Sequence, residues 1–304
     1  MKFLSLNQLP LTTDDFSFRF LNDINISDAI VVHNPQEAIA VSPVLIRSKR
    51  TLREHVLYIQ KNKIKKAIVV AEDIHFLKEC PSLEYLLIIP SMTSNCFDYS
   101  PLYEMPNLKW LRCETMYGWK GERTATIDYS RMQNLKSLGL SGKKGNQNVN
   151  SAKNIEELYC DCGFPNSDNL EGILPNDSLT TLSINQSPIR TLDGIESATN
   201  LCNLELTYNR RLVDISAIKK LSKTLTKLKV DACGKIADFS VLSYLGNITE
   251  LTLKGNNTLP NLFFLKGMPK LMAFQLTMDV EDGDISLCKN VSWKNIKHRK
   301  HFRD

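Results

Sequence analysis

One segment recurs down this chain, and the recurrence constrains its fold more than any other feature. Residues 201–209 read LCNLELTYN, 225–233 read LTKLKVDAC and 248–256 read ITELTLKGN, all fitting L-x-x-L-x-L-x-x-N/C once Val230 and Ile248 stand in for leucine. Copies matching the first six positions begin at Leu83, Leu108, Leu135, Ile155, Leu179 and Leu271, with a degenerate one at Ile64. From Ile155 onward the starts are 24, 22, 24, 23 and 23 residues apart. Strand side chains alternate between two sides, so the fourth and sixth positions point into each coil while the third and fifth point out. No single unit covers its own leucines, so neighbouring coils must stack, each buried Leu or Ile contributing about 1.5–3 kcal/mol.

Between the copies a second apolar pattern falls at every third residue: Ile189, Leu192, Ile195; Leu212, Ile215, Ile218; Ile236, Phe239, Leu242; Leu259, Leu262, Leu265. That period suits short 3-10 turns, and so few residues per unit leave no room for a full helix beside a strand and two turns. Over roughly 80–278 the array resembles the leucine-rich-repeat superfamily, and within it the short-repeat, internalin-like class. The resemblance implies an α/β leucine-rich-repeat solenoid, with a curved parallel β-sheet on the concave face, 3-10 and loop segments on the convex face, and non-consensus caps. Residues 1–63 are expected to form an N-terminal cap region, 64–278 the array, and 279–304 a C-terminal cap with a basic tail.

The ninth slot predicts inward amides at Asn209 and Asn256, bonding backbone where the chain leaves the strand, with Cys233 filling the same place. Met116–Arg123 (MYGWKGER) and Ser141–Asn150 (SGKKGNQNVN) interrupt the pattern as loops; Tyr117 and Trp119 are either exposed anchors or aromatics folded over the coil edge. In the caps, Leu52, Val56 and Ile59 have helical spacing over Thr51–Lys63, and Trp293, Ile296 and Phe302 are expected to cover the last coil.

Charge is local. Residues 289–304 hold Lys289, Lys294, Lys297, Arg299, Lys300 and Arg303 against Asp304, leaving 32 basic and 32 acidic residues elsewhere. A neutral body with a basic tip disfavours a nucleic-acid partner, which wants a line of cations. The apolar run Phe3–Leu6 is broken by Asn7, Gln8 and Pro10, too short for a signal-peptide core, and no stretch reaches the about 18 apolar residues of a spanning helix. The expectation is a cytoplasmic chain with no membrane association, its eight cysteines reduced.

Constellations for chemistry are sparse. His33, His55 and His75 lie in or near the front cap, and His298 and His301 in the basic tail, away from the repeat strands. Cys160 with Cys162 lacks a second pair at zinc spacing, and Cys160 falls in the apolar sixth slot. Cys113 and Cys160 occupy that slot two coils apart, beyond disulfide reach. GKKGN at 142–146 lacks the Gly-Lys-Ser/Thr of a phosphate loop. These readings predict no enzyme, no cofactor and no metal.

The outward positions define the expected binding surface. They grade from Tyr85, Leu87, Ile89, Trp110 and Arg112, through Glu157, Tyr159, Asp161, Thr181, Ser183, Asn203 and Glu205, to Lys227, Lys229, Glu250 and Lys254, with Leu87 and Ile89 either part of this surface or covered by the N-terminal cap. Tyr85, Trp110, Arg112, Glu157, Tyr159, Asp161, Glu205 and Lys229 are the candidate contacts, aromatic and arginine anchors carrying most of the energy. Mixed charge favours a protein partner over a polyanion, met by a monomeric adaptor or a toxin-neutralising, immunity-type inhibitor. The alternatives are a nucleic-acid-associated protein using its basic tail and an extracellular, internalin-like adhesin.

Overall fold

The computed structural model describes residues 11–13, 16–21, 26–33, 50–90, 97–113, 126–142, 145–175 and 177–303. They fall in two compact units, one of residues 1–140 with 144–147, the other of 141–143 with 148–304.

The first unit opens with β1 (Leu11–Thr13), β2 (Phe16–Leu21) and β3 (Ile26–His33), paired antiparallel in that order. Helix α1 (Leu52–Asn62) then leads to β4 (Lys66–Ala71), which runs parallel to β3. The N-terminal region therefore supplies strands to the repeat sheet. Helix α1 starts with a capping box: the Glu54 amide donates to the Thr51 hydroxyl at 3.3 Å, and the Thr51 amide donates to the Glu54 carboxylate at 2.7 Å. It stops at Lys63, in the left-handed region at φ 49°, and buries His55, Val56 and Ile59.

Parallel pairing continues through β5 (Tyr85–Pro90), β6 (Trp110–Cys113) and β8 (Ser137–Ser141), while β7 (Ile127–Asp128) and β9 (Asn146–Gln147) make a small separate ladder. Strands β4 and β5 are buried on both sides: Ile68, Val70, Leu87 and Ile89, all in outward slots, are as enclosed as Ala67, Val69, Leu86 and Ile88 in the inward ones. Their sequences KAIVVA and YLLIIP are nearly continuous apolar runs, the pattern of parallel strands covered on both faces.

The second unit is a leucine-rich-repeat solenoid. Its strands β10 (Glu157–Asp161), β11 (Thr181–Asn185), β12 (Asn203–Thr207), β13 (Lys227–Asp231), β14 (Glu250–Lys254), β16 (Ala273–Leu276) and β18 (Trp293–Ile296) each pair parallel with the next; β15 (Thr258–Leu259) and β17 (Asp279–Val280) form a two-strand ladder. Leu158, Leu182, Leu204, Leu228, Leu251 and Phe274 stand in one column, all buried, despite the unequal repeat lengths. The slack is taken up outside the strands, where 3-10 turns at 195–197, 216–221, 240–244 and 263–267 bury Ile195, Ile218, Leu242 and Leu265.

Three repeated polar devices hold the coils. In the ninth slot Asn209 is fully buried, its amide donating to the Ile184 carbonyl at 2.8 Å and accepting from the Ser187 N–H at 2.9 Å. Cys233 donates its thiol to the Leu206 carbonyl at 3.6 Å. In the next coil the expected Asn256 is exposed, and Asn257 enters the slot, donating to the Ile236 carbonyl at 2.8 Å. The cause is Gly255, whose φ of 137° gives the chain a different exit from the strand.

At the eighth position Cys162, Gln186, Tyr208 and Ala232 all adopt φ between 51° and 54°. That turn aims each N–H at the next coil: Gln186 donates to Thr207 at 3.0 Å, Tyr208 to Asp231 at 2.9 Å and Ala232 to Lys254 at 3.0 Å. On the other side, an Asp-x-Ser triplet opens the 3-10 turns, with Asp98, Asp128, Asp214, Asp238 and Asp284 each accepting from the N–H of the serine two residues on.

Candidate outward strand face

Alternation along β10 to β14 turns the third, fifth and seventh positions away from the leucine columns, and their side chains are all at least partly exposed. Exact register makes each a close neighbour of its counterpart on the adjoining strand, and these neighbours bond. Asn185 donates to Asp161 at 2.9 Å, Asn203 to Thr181 at 3.2 Å, Lys229 pairs with Glu205 at 3.3 Å and Lys227 with Glu250 at 2.7 Å. Each is an in-register pair of the ladder. The expected succession from acidic to basic is thus internally compensated: the acid of one strand meets the base of the next.

Glu157, Tyr159 and Asp161 come together on β10, where the Tyr159 hydroxyl donates to the Glu157 carboxylate at 3.3 Å. Burial and then the Glu157 charge push the Tyr159 phenol up to about 12, so it is a neutral donor at physiological pH. Glu205 and Lys229 lie on β12 and β13 as one ion pair.

The first unit differs from expectation. Trp110 retains 6% of its surface, and Leu87 and Ile89 are buried beside it, so the apolar end of the expected surface is interior. Tyr85 and Arg112 are part-exposed and occupied with their own unit. The Lys66 ammonium lies 5.7 Å from the Tyr85 ring centre, and Arg112 folds flat across Gly139, where a Cβ would sit 2.9 Å from its Cγ. Trp119 and Tyr117 lie outside the described residues.

Trp293 is also placed differently. In register with Ala273 it takes an outward slot of β18 and stays 55% exposed, leaving part-exposed Ile296 and Phe302 to cover the last coil. The basic segment beyond folds back: Arg299 pairs with Asp279 at 3.2 Å, His301 reaches the same carboxylate at 3.1 Å, and Arg303 donates to the Asp282 carbonyl at 2.7 Å.

Among the described residues no group of three or more His, Cys, Asp or Glu is placed to hold a metal ion, and every cysteine is a free thiol. Burial pushes the Cys80 thiol up to about 12, Cys233 to about 11 and Cys160 higher still, which suppresses the nucleophilic thiolate. His33 and His55 are buried with ring centres 6.2 Å apart, against α1 and far in sequence from the repeat face. No described helix is long and apolar enough to cross a membrane.

The fold rests on strand register and leucine columns. No protein-family model matches the chain, and no curated protein matches it. Among solved structures, an internalin (inlF) from Listeria monocytogenes is 17% identical over 78% of this chain and 73% of its own, with a TM-score of 0.48. The functional domain of InlJ from Listeria monocytogenes, whose structure includes a cysteine ladder, is 15% identical over 77% and 63% with a TM-score of 0.41. TLR13 in the TLR13-ssRNA13 complex is 17% identical over 69% of this chain and 32% of its own, with a TM-score of 0.49.

Proposed function

We propose that this protein is a non-catalytic interaction module that holds a partner protein on the outward strand face of β10 to β14. The observation that supports this is the in-register lattice itself. Tyr159, Asn185, Asn203, Glu205 and Lys229 stand on paired strands, and each is held by a neighbour on the face, Tyr159 by Glu157, Asn185 by Asp161, Asn203 by Thr181 and Glu205 by Lys229, so less side-chain freedom remains to be lost on binding. Tyr159 supplies the aromatic anchor, and alternating acid and base favour a surface of mixed charge over a polyanion. An adaptor and a toxin-neutralising inhibitor are the two forms of this activity. Free thiols throughout the described residues fit a reducing, cytoplasmic setting.

The test is affinity capture from the native host with the wild-type chain and with Tyr159→Ala combined with Glu205→Lys. Loss of the same proteins from the double variant supports the reading. Equal recovery removes the face as the binding site.

A further inference from the structure

Strand β18 breaks the repeat rule at the slot that matters most for stacking. The residues at the inward fourth position of β10 to β16 are apolar and at most 2% exposed; at β18 the slot holds Lys294, which is exposed. Among the described residues β18 pairs with β16 alone, and the described sheet order ends on it. The amides of Trp293 and Lys297 donate back to Met272 and Leu276 at 2.9 and 2.8 Å. Alternation then turns the N–H groups of Lys294 and Ile296 toward the open edge.

That edge has a consistent chemistry. Trp293 is 55% exposed in its outward slot, and Met272, whose carbonyl accepts from the Trp293 amide, is 57% exposed. Arg299 and Arg303 are tied back to neighbouring coil residues, whereas Lys294 on β18 and Lys297 immediately after it are exposed. An open edge invites any strand, and a lysine in an inward slot is a device that repels most of them. A second copy of β18 would set lysine near lysine, and a strand with apolar residues alone would leave the ammonium buried and unpaired.

We propose that the β18 edge binds an extended, acidic segment of a partner protein by strand addition. Main-chain bonds run to the amides of Lys294 and Ile296, a carboxylate of the incoming strand meets Lys294, and an apolar side chain covers Trp293. The lysine that blocks self-pairing thereby selects the partner's charge.

The test uses the full chain and two capped octapeptides, one alternating Glu and Val, the other alternating Lys and Val, with site-resolved amide hydrogen exchange as the readout. The Glu–Val peptide is expected to slow exchange at Lys294 and Ile296, and the Lys–Val peptide to leave it unchanged. Lys294→Glu should weaken the Glu–Val peptide by about tenfold or more and admit the Lys–Val peptide, while Lys294→Gln should weaken the first without admitting the second. No slowing at these two amides, equal slowing by both peptides, or slowing that depends on protein concentration without peptide would overturn the proposal. So would an oligonucleotide that competes away the Glu–Val peptide yet leaves the amides exchanging. Tyr159→Ala with Glu205→Lys should leave peptide binding intact, which separates this edge from the strand-face reading.

Discussion

The Ser240 amide donates to the Asp238 carboxylate at 2.7 Å, where the coil leaves its strand side and enters the 3-10 turn of residues 240–244. The same contact joins Asp214 to Ser216 at 2.7 Å and Asp284 to Ser286 at 2.9 Å. An amide at the head of a 3-10 turn has no partner within the turn, so a carboxylate two residues earlier satisfies it while fixing the approach of the chain.

Replacing Asp238 by Ala should therefore cost about 1 kcal/mol, with Asp238→Asn recovering most of it, read from denaturant midpoints. The hydrogen bonds from serine hold Asp98, Asp238 and Asp284 below the ordinary carboxylate value. Groups lowered in the folded state contribute stability that is complete above their unfolded value of 3.8 and is lost as pH falls through the lowered one. A melting series from pH 6 to about 2 should show wild-type stability declining below about 4, with a shallower decline in Asp238→Asn.

Asparagine at 209 and 257 should be far less dispensable than at 256. Asn209→Ala and Asn257→Ala each leave buried backbone groups without partners and should cost about 1–3 kcal/mol. Asn256→Ala should fall within about 0.5 kcal/mol of wild type, as an exposed change touching neither ladder nor core. Equal losses at 256 and 257 would contradict the shifted slot.

Ala232 holds a left-handed backbone at φ 54° that glycine adopts freely. Ala232→Gly should raise the unfolding free energy by up to about 1 kcal/mol, the lost strain exceeding the added chain entropy. Gly194→Ala should do the reverse and more, since φ there is 93° and a Cβ would meet the Glu171 nitrogen at 2.4 Å. Paired thermal melts of the two variants check both signs.

His55 gives the first unit a different pH response. Desolvation lowers its pKa below the ordinary 6.5, while its Nδ1 lies 2.9 Å from the Thr51 carbonyl under α1. The neutral ring is the folded form, so the stability it contributes is complete above about 6.5 and declines as pH falls toward the lowered value. His55→Phe should flatten melting temperature against pH over that interval.

Leucine periodicity made the second unit legible because its columns do two things at once: Leu204 and Leu206 mark both the strand and its buried side. The helix at 52–62 was readable from its spacing, and the period-three residues foretold the 3-10 turns. Trp110 is buried although its own slot faces outward; the signal that both faces are covered lies in the unbroken runs IVVA and LLII of the preceding strands. The Asp-x-Ser triplets were visible as a repeat but sit outside the leucine motif. Side-chain pairing on the outward face could not be read from composition, because Glu205 and Lys229 are 24 residues apart and meet only through register.

Unequal repeats that nevertheless align their columns mean that strand pairing ties each coil of the second unit to its two neighbours, with the exposed Arg211–Asp168 pair at 3.4 Å reaching one coil further. Excising residues 225–247, one complete turn of the chain, would bring Ile248 to the place of Leu225 and let β14 follow β12 with every column rejoined. Length is therefore a free variable of this architecture, and lineages or designers can trim or extend it by whole coils without inventing a new core.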